Sequence, residues 1–214
     1  MNRAASHRGS QIYSTTVKNM WFMLVVFLLP IFLFDLPLKQ NEAYHAFADQ
    51  RCMCCVPNFM DVASNAAFLG VGGWRCGTEG LTLFNAGVIA TALGSAYYHW
   101  RPSTSRLFWD RLPMTVAFSG VFAQSLGIRQ SEALLAGILS VCHWHAYEDL
   151  GPYVVFQYGG VLGTAYQKPG LAVVLYIAAK LCERMDARIF STTNYLISGH
   201  TMKHLLAALA CANI

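Results

Sequence analysis

Apolar and polar positions follow one another along this chain in blocks. A polar stretch over residues 1–19 carries Arg3, Arg8 and Lys18 and leads into an apolar run from Met20 to Phe34. A charged start before an apolar run resembles a signal peptide, but no small-x-small cleavage site follows closely. The run therefore predicts an uncleaved first helix over roughly 20–36. Residues 36–57 are polar. Apolar segments then recur over about 58–75, 80–99, 108–127, 131–146, 150–167, 169–184 and 195–213. Glycine or proline marks the short linkers between them, at Gly77, Gly80, Pro102, Gly127, Gly151, Pro169 and Gly170. Short linkers make consecutive helices antiparallel neighbours.

Composition turns this pattern into a fold class. The chain has 214 residues, 55% of them hydrophobic and 12% charged, with a mean hydropathy of +0.39. Soluble domains carry about 25% charged residues, so the blocks read as transmembrane helices. The expectation is an all-α, polytopic transmembrane bundle with a seven-helix core and one extra N-terminal helix. Residues 1–43 form the N-terminal segment and 44–214 the seven-helix domain. The net charge of +4 comes without a basic cluster, so no nucleic-acid partner is expected; the bilayer itself is. The three basic residues before the first run favour a cytoplasmic N-terminus. The site then faces the periplasm or the outside, although lysines and arginines counted over all segments argue the other way. Seven cysteines are present. Cys76, Cys142, Cys182 and Cys211 read as small buried hydrophobes. Cys52, Cys54 and Cys55 lie in a polar loop with only His45 nearby, so they read as incidental, or as a disulfide in an oxidising compartment.

Candidate chemistry gathers at segment ends. His200 and His204, four apart, project from one helical face on successive turns and can chelate one metal ion. Ser95 and His99 repeat that spacing. If helices alternate, Asp61, Ser64, Asn65, Ser95, His99, Asp110, His143, His145, His200 and His204 all fall near one end of the bundle. Three histidines leave an open position for water, as catalytic zinc sites require. Asp110 then suits a general base that returns the proton to a leaving amine, and Ser95 a donor to a developing oxyanion. The plainer readings are a helix N-terminal carboxylate or arginine partner for Asp110, and a serine bonded to its own helix for Ser95. His143 and His145, two apart, cannot both face inward. Asp61, Ser64 and Asn65 read as polar packing behind the site, and Lys180 with Glu183 as an i, i+3 pair. Trp100 and Trp109 read as aromatic-belt anchors, with Glu148 and Asp149 interfacial.

The combination of Ser95-x-x-x-His99, of Asp110 within Trp109-Asp-Arg-Leu-Pro-Met-Thr115, and of His200-x-x-x-His204 resembles the alkaline ceramidase family. More closely it resembles bacterial ceramidase-like membrane proteins, which implies a bacterial inner-membrane setting, and the family belongs to a wider superfamily that includes the adiponectin receptors. The matching stretches are Phe47–Arg51, Pro57–Asn65, the whole Ser95–Thr115 corner, Ala179–Asp186 and Ser198–Leu206, so the resemblance covers about residues 44–213. It implies zinc on His99, His200 and His204, with Ser95 and Asp110 beside it. It also implies hydrolysis of an amide-linked, ceramide-like lipid to a sphingoid base and a fatty acid. The chain departs from the animal enzymes at Tyr44–Arg51, which has one carboxylate where their calcium site is acidic; calcium prefers six to eight oxygen ligands, so that site is not carried over. The alternatives are a non-catalytic receptor or sensor with a structural zinc, and a transporter or proton relay using the same histidines and aspartate.

Overall fold

The computed structural model describes residues 20–31, 33, 37–167 and 170–214, and the chain is mostly helical. Residues 20–31 form α1. A short 3-10 turn, Glu42–His45, precedes α2 (Phe59–Ala63), α3 (Ala66–Glu79), α4 (Leu83–Trp100) and α5 (Thr104–Leu126). There follow α6 (Gln130–Tyr147), α7 (Gly151–Gln167), α8 (Leu171–Arg184), α9 (Asp186–Thr192) and α10 (Gly199–Ala212). The all-α class expected from the sequence is what the chain adopts.

Local sequence sets the helix ends. Thr82, Ser103 and Ser198 stand as N-caps, their hydroxyls accepting from the backbone N–H of Asn85, Arg106 and Thr201 at 3.1, 3.3 and 2.9 Å. Each bond satisfies one of the N–H groups that a helix start leaves without a partner. Arg101 follows Trp100 and precedes Pro102, and the residue before a proline is steered away from helical backbone. Gly127 closes α5 at φ 63, a left-handed conformation that glycine adopts without penalty.

Three apolar clusters join the helices. Phe22 and Val26 of α1 pack with Phe122, Ala133, Ala136 and Phe156 of α5, α6 and α7. Phe47, Tyr98, Leu107, Val141, Trp144 and Tyr153 form a second cluster. Phe68, Val88, Ala92 and Ala208 form the third, which ties α3 and α4 to α10. α10 packs chiefly against α8 and α3. The closest approaches are made on glycines: a β-carbon added at Gly87 would lie 2.3 Å from the Ala117 backbone nitrogen, and one at Gly199 would lie 2.2 Å from the Cys182 carbonyl oxygen.

The expected multi-pass membrane bundle is overturned. Among the described residues, no helix is long and apolar enough to cross a membrane. A span needs about 20 predominantly apolar residues. α3, α8 and α10 have 14 residues each. The longer α4 and α5 are interrupted by polar groups at buried positions, among them Asn85, Ser95 and His99, and Asp110, Arg111 and Ser119. The inner-membrane location and the periplasmic orientation fall with the spans. The run read as 58–75 is two helices, α2 and α3, with a break at Ser64–Asn65, and the region 186–192 holds a helix that the pattern did not mark. Residues 1–19, 32, 34–36, 168 and 169 lie outside the described residues, and with them part of the first expected helix and the Pro169 linker.

Candidate metal centre

The three histidines come from two helix ends. His99 lies in the last turn of α4, and His200 and His204 lie in the first turns of α10. Their positions are set by polar ties. Asn58, at φ 50, donates its side-chain amide to the His99 carbonyl oxygen at 2.9 Å. Asp186 accepts the His200 backbone N–H at 2.8 Å through Oδ1 and the Ala48 N–H at 2.9 Å through Oδ2. One carboxylate thus joins the start of α10 to the 46–50 loop, whose Phe47 ring packs 4.7 Å from His99 and 4.4 Å from His200.

In each ring one nitrogen faces the other two rings, and these atoms all lie within 4.8 Å of one another. His99 Nε2 is 3.3 Å from His200 Nε2. Two nitrogens on one tetrahedral ion at about 2.0–2.1 Å stand roughly 3.3–3.4 Å apart, so this spacing already matches shared ligation. All three residues are buried. Burial holds each imidazole well below its ordinary pKa, with neighbouring Lys203 reinforcing the effect at all three. Neutral imidazole is the ligand form.

The protonation of His204 can be read from its partners. Ser64 Oγ donates to the Asp61 carbonyl oxygen at 3.1 Å and lies 2.7 Å from His204 Nδ1. The tautomer with the proton on Nδ1 fits both contacts, Ser64 donating to Asp61 and accepting from His204. The lone pair of His204 then sits on Nε2, which is buried and has no hydrogen-bond partner. Such an atom is costly unless something binds it, and an imidazole anchored through its other nitrogen is the usual design of a metal ligand. His99, His200 and His204 therefore form a buried group that can hold a metal ion.

Behind them, Asp61 is fully buried and accepts from Thr201 Oγ1 at 2.7 Å and Ser198 Oγ at 3.3 Å. Burial pushes its carboxyl up to about 6, against the opposing effect of the Thr201 bond. Of the group Asp61, Ser64 and Asn65, Ser64 touches a histidine of the centre, while Asp61 ties to the start of α10 and Asn65 donates to the Asp61 carbonyl oxygen at 2.7 Å.

A cavity of about 430 Å³ adjoins the centre. Its wall includes His204, Ser95, Asp110, Arg111, Lys203 and Glu183, together with apolar side chains such as Phe68, Phe84, Val88, Phe118 and Ala207. A second cavity, about 640 Å³, has His200 and Phe47 in its wall and shares Tyr44, Lys180 and Glu183 with the first. Asp110 is raised above the ordinary carboxylate range by burial, opposed by Lys203, by a hydrogen bond from Ser95 and by Arg111. All five residues singled out from sequence thus come together: His99, His200 and His204 as one group, and Ser95 with Asp110 in the wall beside His204.

Other candidates go elsewhere. His143 lies 3.3 Å from Asp149, which also accepts the Leu38 and Gly151 backbone N–H groups. Asp149 is therefore a buried loop anchor and not an interfacial group. His145 packs 5.2 Å from the Phe108 ring. Cys52, Cys54 and Cys55 are free, exposed thiols. Lys180 and Glu183 do pair, at 2.5 Å.

Sequence reading passed over Lys203, whose Nζ donates to His200 Nε2 at 2.8 Å and to Glu183 Oε1 at 3.1 Å. Its position three residues after His200, on the same face, was the available signal. Burial pushes the Glu183 carboxyl up, but Lys203 and Lys180 outweigh it and bring it down to about 2. Comparison with family models, with curated proteins and with solved structures finds no match to this chain.

Proposed function

We propose that this chain is a zinc-dependent hydrolase of a lipid amide, a ceramide-like molecule with a long apolar tail, in keeping with its resemblance to the alkaline ceramidases. The observation that carries the reading is the shared cavity. His204, Ser95 and Asp110 stand in one wall, and an apolar recess suited to an acyl chain extends from them. Small-molecule sites combine an apolar lining with a few convergent polar groups in this way.

Zinc held by His99, His200 and His204 would supply Lewis-acid polarisation and a lowered pKa for water. The reaction is the addition of water across the amide: the carbon–oxygen bond forms, the carbon–nitrogen bond breaks, and a fatty carboxylate and an amine leave. Asp110 takes the proton from the attacking water and delivers it to the departing nitrogen. Its raised pKa brings it nearer to the range in which one group both accepts and returns a proton. Ser95 lines the same cavity as Asp110 and has a role open to it, donation to the carbonyl oxygen as charge develops.

A receptor with a purely structural zinc would call for a closed fourth position. Among the described residues the ligand group contains three side chains and no fourth, which supports the catalytic reading. The test is to load purified protein with zinc, measure the metal by mass spectrometry, and incubate it with fluorescent amide lipids of several chain lengths. One zinc per chain and release of fatty acid are expected, both lost in His200→Ala. Stoichiometric zinc with no cleavage across the panel would sink the hydrolase reading, and no zinc at all would sink the metal centre.

A further inference from the structure

The cavity beside the histidines carries more positive charge than a neutral ceramide-like ligand can use. Arg111, Lys180 and Lys203 stand in its wall against two carboxylates, Glu183 and Asp110. Glu183 is committed to two of the cations: Oε2 accepts from Lys180 at 2.5 Å and Oε1 from Lys203 at 3.1 Å. Asp110 is buried and lines the cavity with Ser95. Arg111 is only 6% exposed. Its guanidinium stacks over Trp144 and Tyr153, 4.1 and 5.0 Å from the ring centroids, and its Nη2 donates to Gln40 at 2.5 Å. Its Nη1 is buried without a hydrogen-bond partner. A buried cation with an unused donor is costly.

Metal loading sharpens the imbalance. An ion on His200 Nε2 takes the lone pair to which Lys203 now donates, so the ammonium loses that acceptor and keeps only Glu183. An ammonium has three donors and a guanidinium five. The loaded cavity would then hold a dication and two cations with free donors, in a partly apolar enclosure where charge is poorly screened.

We infer that the cavity takes an acyl amide whose head carries a carboxylate, as in an N-acyl amino acid, with that carboxylate seated on Lys203 and Arg111. This rests on the proposed amide hydrolase and narrows its substrate class. The apolar recess takes the acyl chain, the amide lies beside Ser95 and Asp110, and the acidic head compensates the two cations.

The experiment measures binding and turnover separately on the full chain. Equilibrium binding of N-dodecanoylglycine, of the neutral N-dodecanoylethanolamine and of dodecanoate is measured on zinc-free and zinc-loaded protein, and hydrolysis of the two amides on the loaded protein. The acidic amide is expected to bind about tenfold or more tightly than the neutral one, as one charge-assisted contact provides, with the larger preference after loading. The ratio is expected to fall toward one in Lys203→Met and in Arg111→Met, each checked for folding by circular dichroism; if Arg111→Met fails to fold, Lys203→Met decides alone. Equal affinities, or a preference that survives Lys203→Met, overturn the inference, as does tight binding of dodecanoate without tight binding of the acidic amide. Hydrolysis of the neutral amide alone removes the inference and keeps the hydrolase. Selective binding of the acidic amide without cleavage keeps the recognition site and removes the hydrolase.

Discussion

Gly94 and Trp109 meet with no room for a side chain between them: a β-carbon on Gly94 would sit 2.0 Å from the Trp109 carbonyl oxygen. Gly94 is the residue before Ser95 on α4, and Trp109 is the residue before Asp110 on α5. This contact therefore sets the separation of the serine and the aspartate.

Gly94→Ala is expected to force α4 and α5 apart at that level, because the obstructing atom belongs to the backbone. Overpacking of this kind costs about 1–3 kcal/mol. Metal affinity should fall as well, since His99 lies on the next turn of α4. Gly70→Ala on α3 is the control: its added β-carbon meets nothing within 4 Å, and exchange of a mid-helix glycine for alanine stabilises by about 0.5–1 kcal/mol. Urea denaturation of the two variants should give shifts of opposite sign. A neutral Gly94→Ala would show that the helix pair is not held at this distance.

The three histidines of the candidate centre were legible in the sequence because helical spacing is a strong local signal. His200 with His204, and Ser95 with His99, could be placed on common faces without a structure. The polar break at Ser64–Asn65, the short helix after Arg184 and the lengths of the apolar segments were harder to read, since hydropathy blurs a buried helix with a spanning one. α3 carries Arg75 at a buried position, where its Nε donates to Asn85 Oδ1 at 3.0 Å and its Nη2 pairs with Glu79 at 2.6 Å. Meanwhile large apolar side chains such as Leu93, Leu162 and Val174 are exposed. High overall hydropathy thus coexists with a polar interior, and composition alone cannot say which face each residue takes. The role of Ser64 needed tertiary contact, because its partner lies 140 residues away.

Ser64→Ala removes the acceptor of His204 Nδ1–H without touching a metal ligand. Loss of such an outer partner typically costs 10–100-fold in metal affinity. Competition with a zinc chelator should show a drop of that order, with the circular dichroism spectrum unchanged. Ser64→Thr retains a hydroxyl and should restore part of the affinity. Wild-type affinity in Ser64→Ala would mean that His204 is oriented by other contacts.

Glu183 gives the fold a definite acid dependence. Its carboxyl lies at about 2 in the folded chain against an ordinary value of 4.5, and its side chain is only 16% exposed. A depressed folded pKa means that the unfolded chain binds the proton more readily. The stabilisation is therefore complete above about pH 4.5 and is lost as the pH falls toward 2. The shift corresponds to about 3 kcal/mol. Glu183→Gln should be less stable than wild type by that order at pH 7, with the gap closing at pH 2 to 3. Parallel denaturation curves at all pH values would show that the Lys180–Glu183–Lys203 group contributes nothing through charge.

Asp110→Asn separates proton transfer from metal binding. The change keeps the shape of the side chain, but asparagine cannot accept a proton from water. Under the proposed mechanism, turnover of an amide lipid should drop by about 10²- to 10⁴-fold, the usual contribution of a positioned acid–base group, while zinc content stays at the wild-type level. In wild type, burial raises the Asp110 pKa, and only the ionised form is a base. The acid limb of kcat/KM should therefore rise with pH at a value above the ordinary carboxylate range, and that limb should be absent from the residual activity of Asp110→Asn. Retention of the same limb in the variant would assign it to another group and remove Asp110 from the proton path.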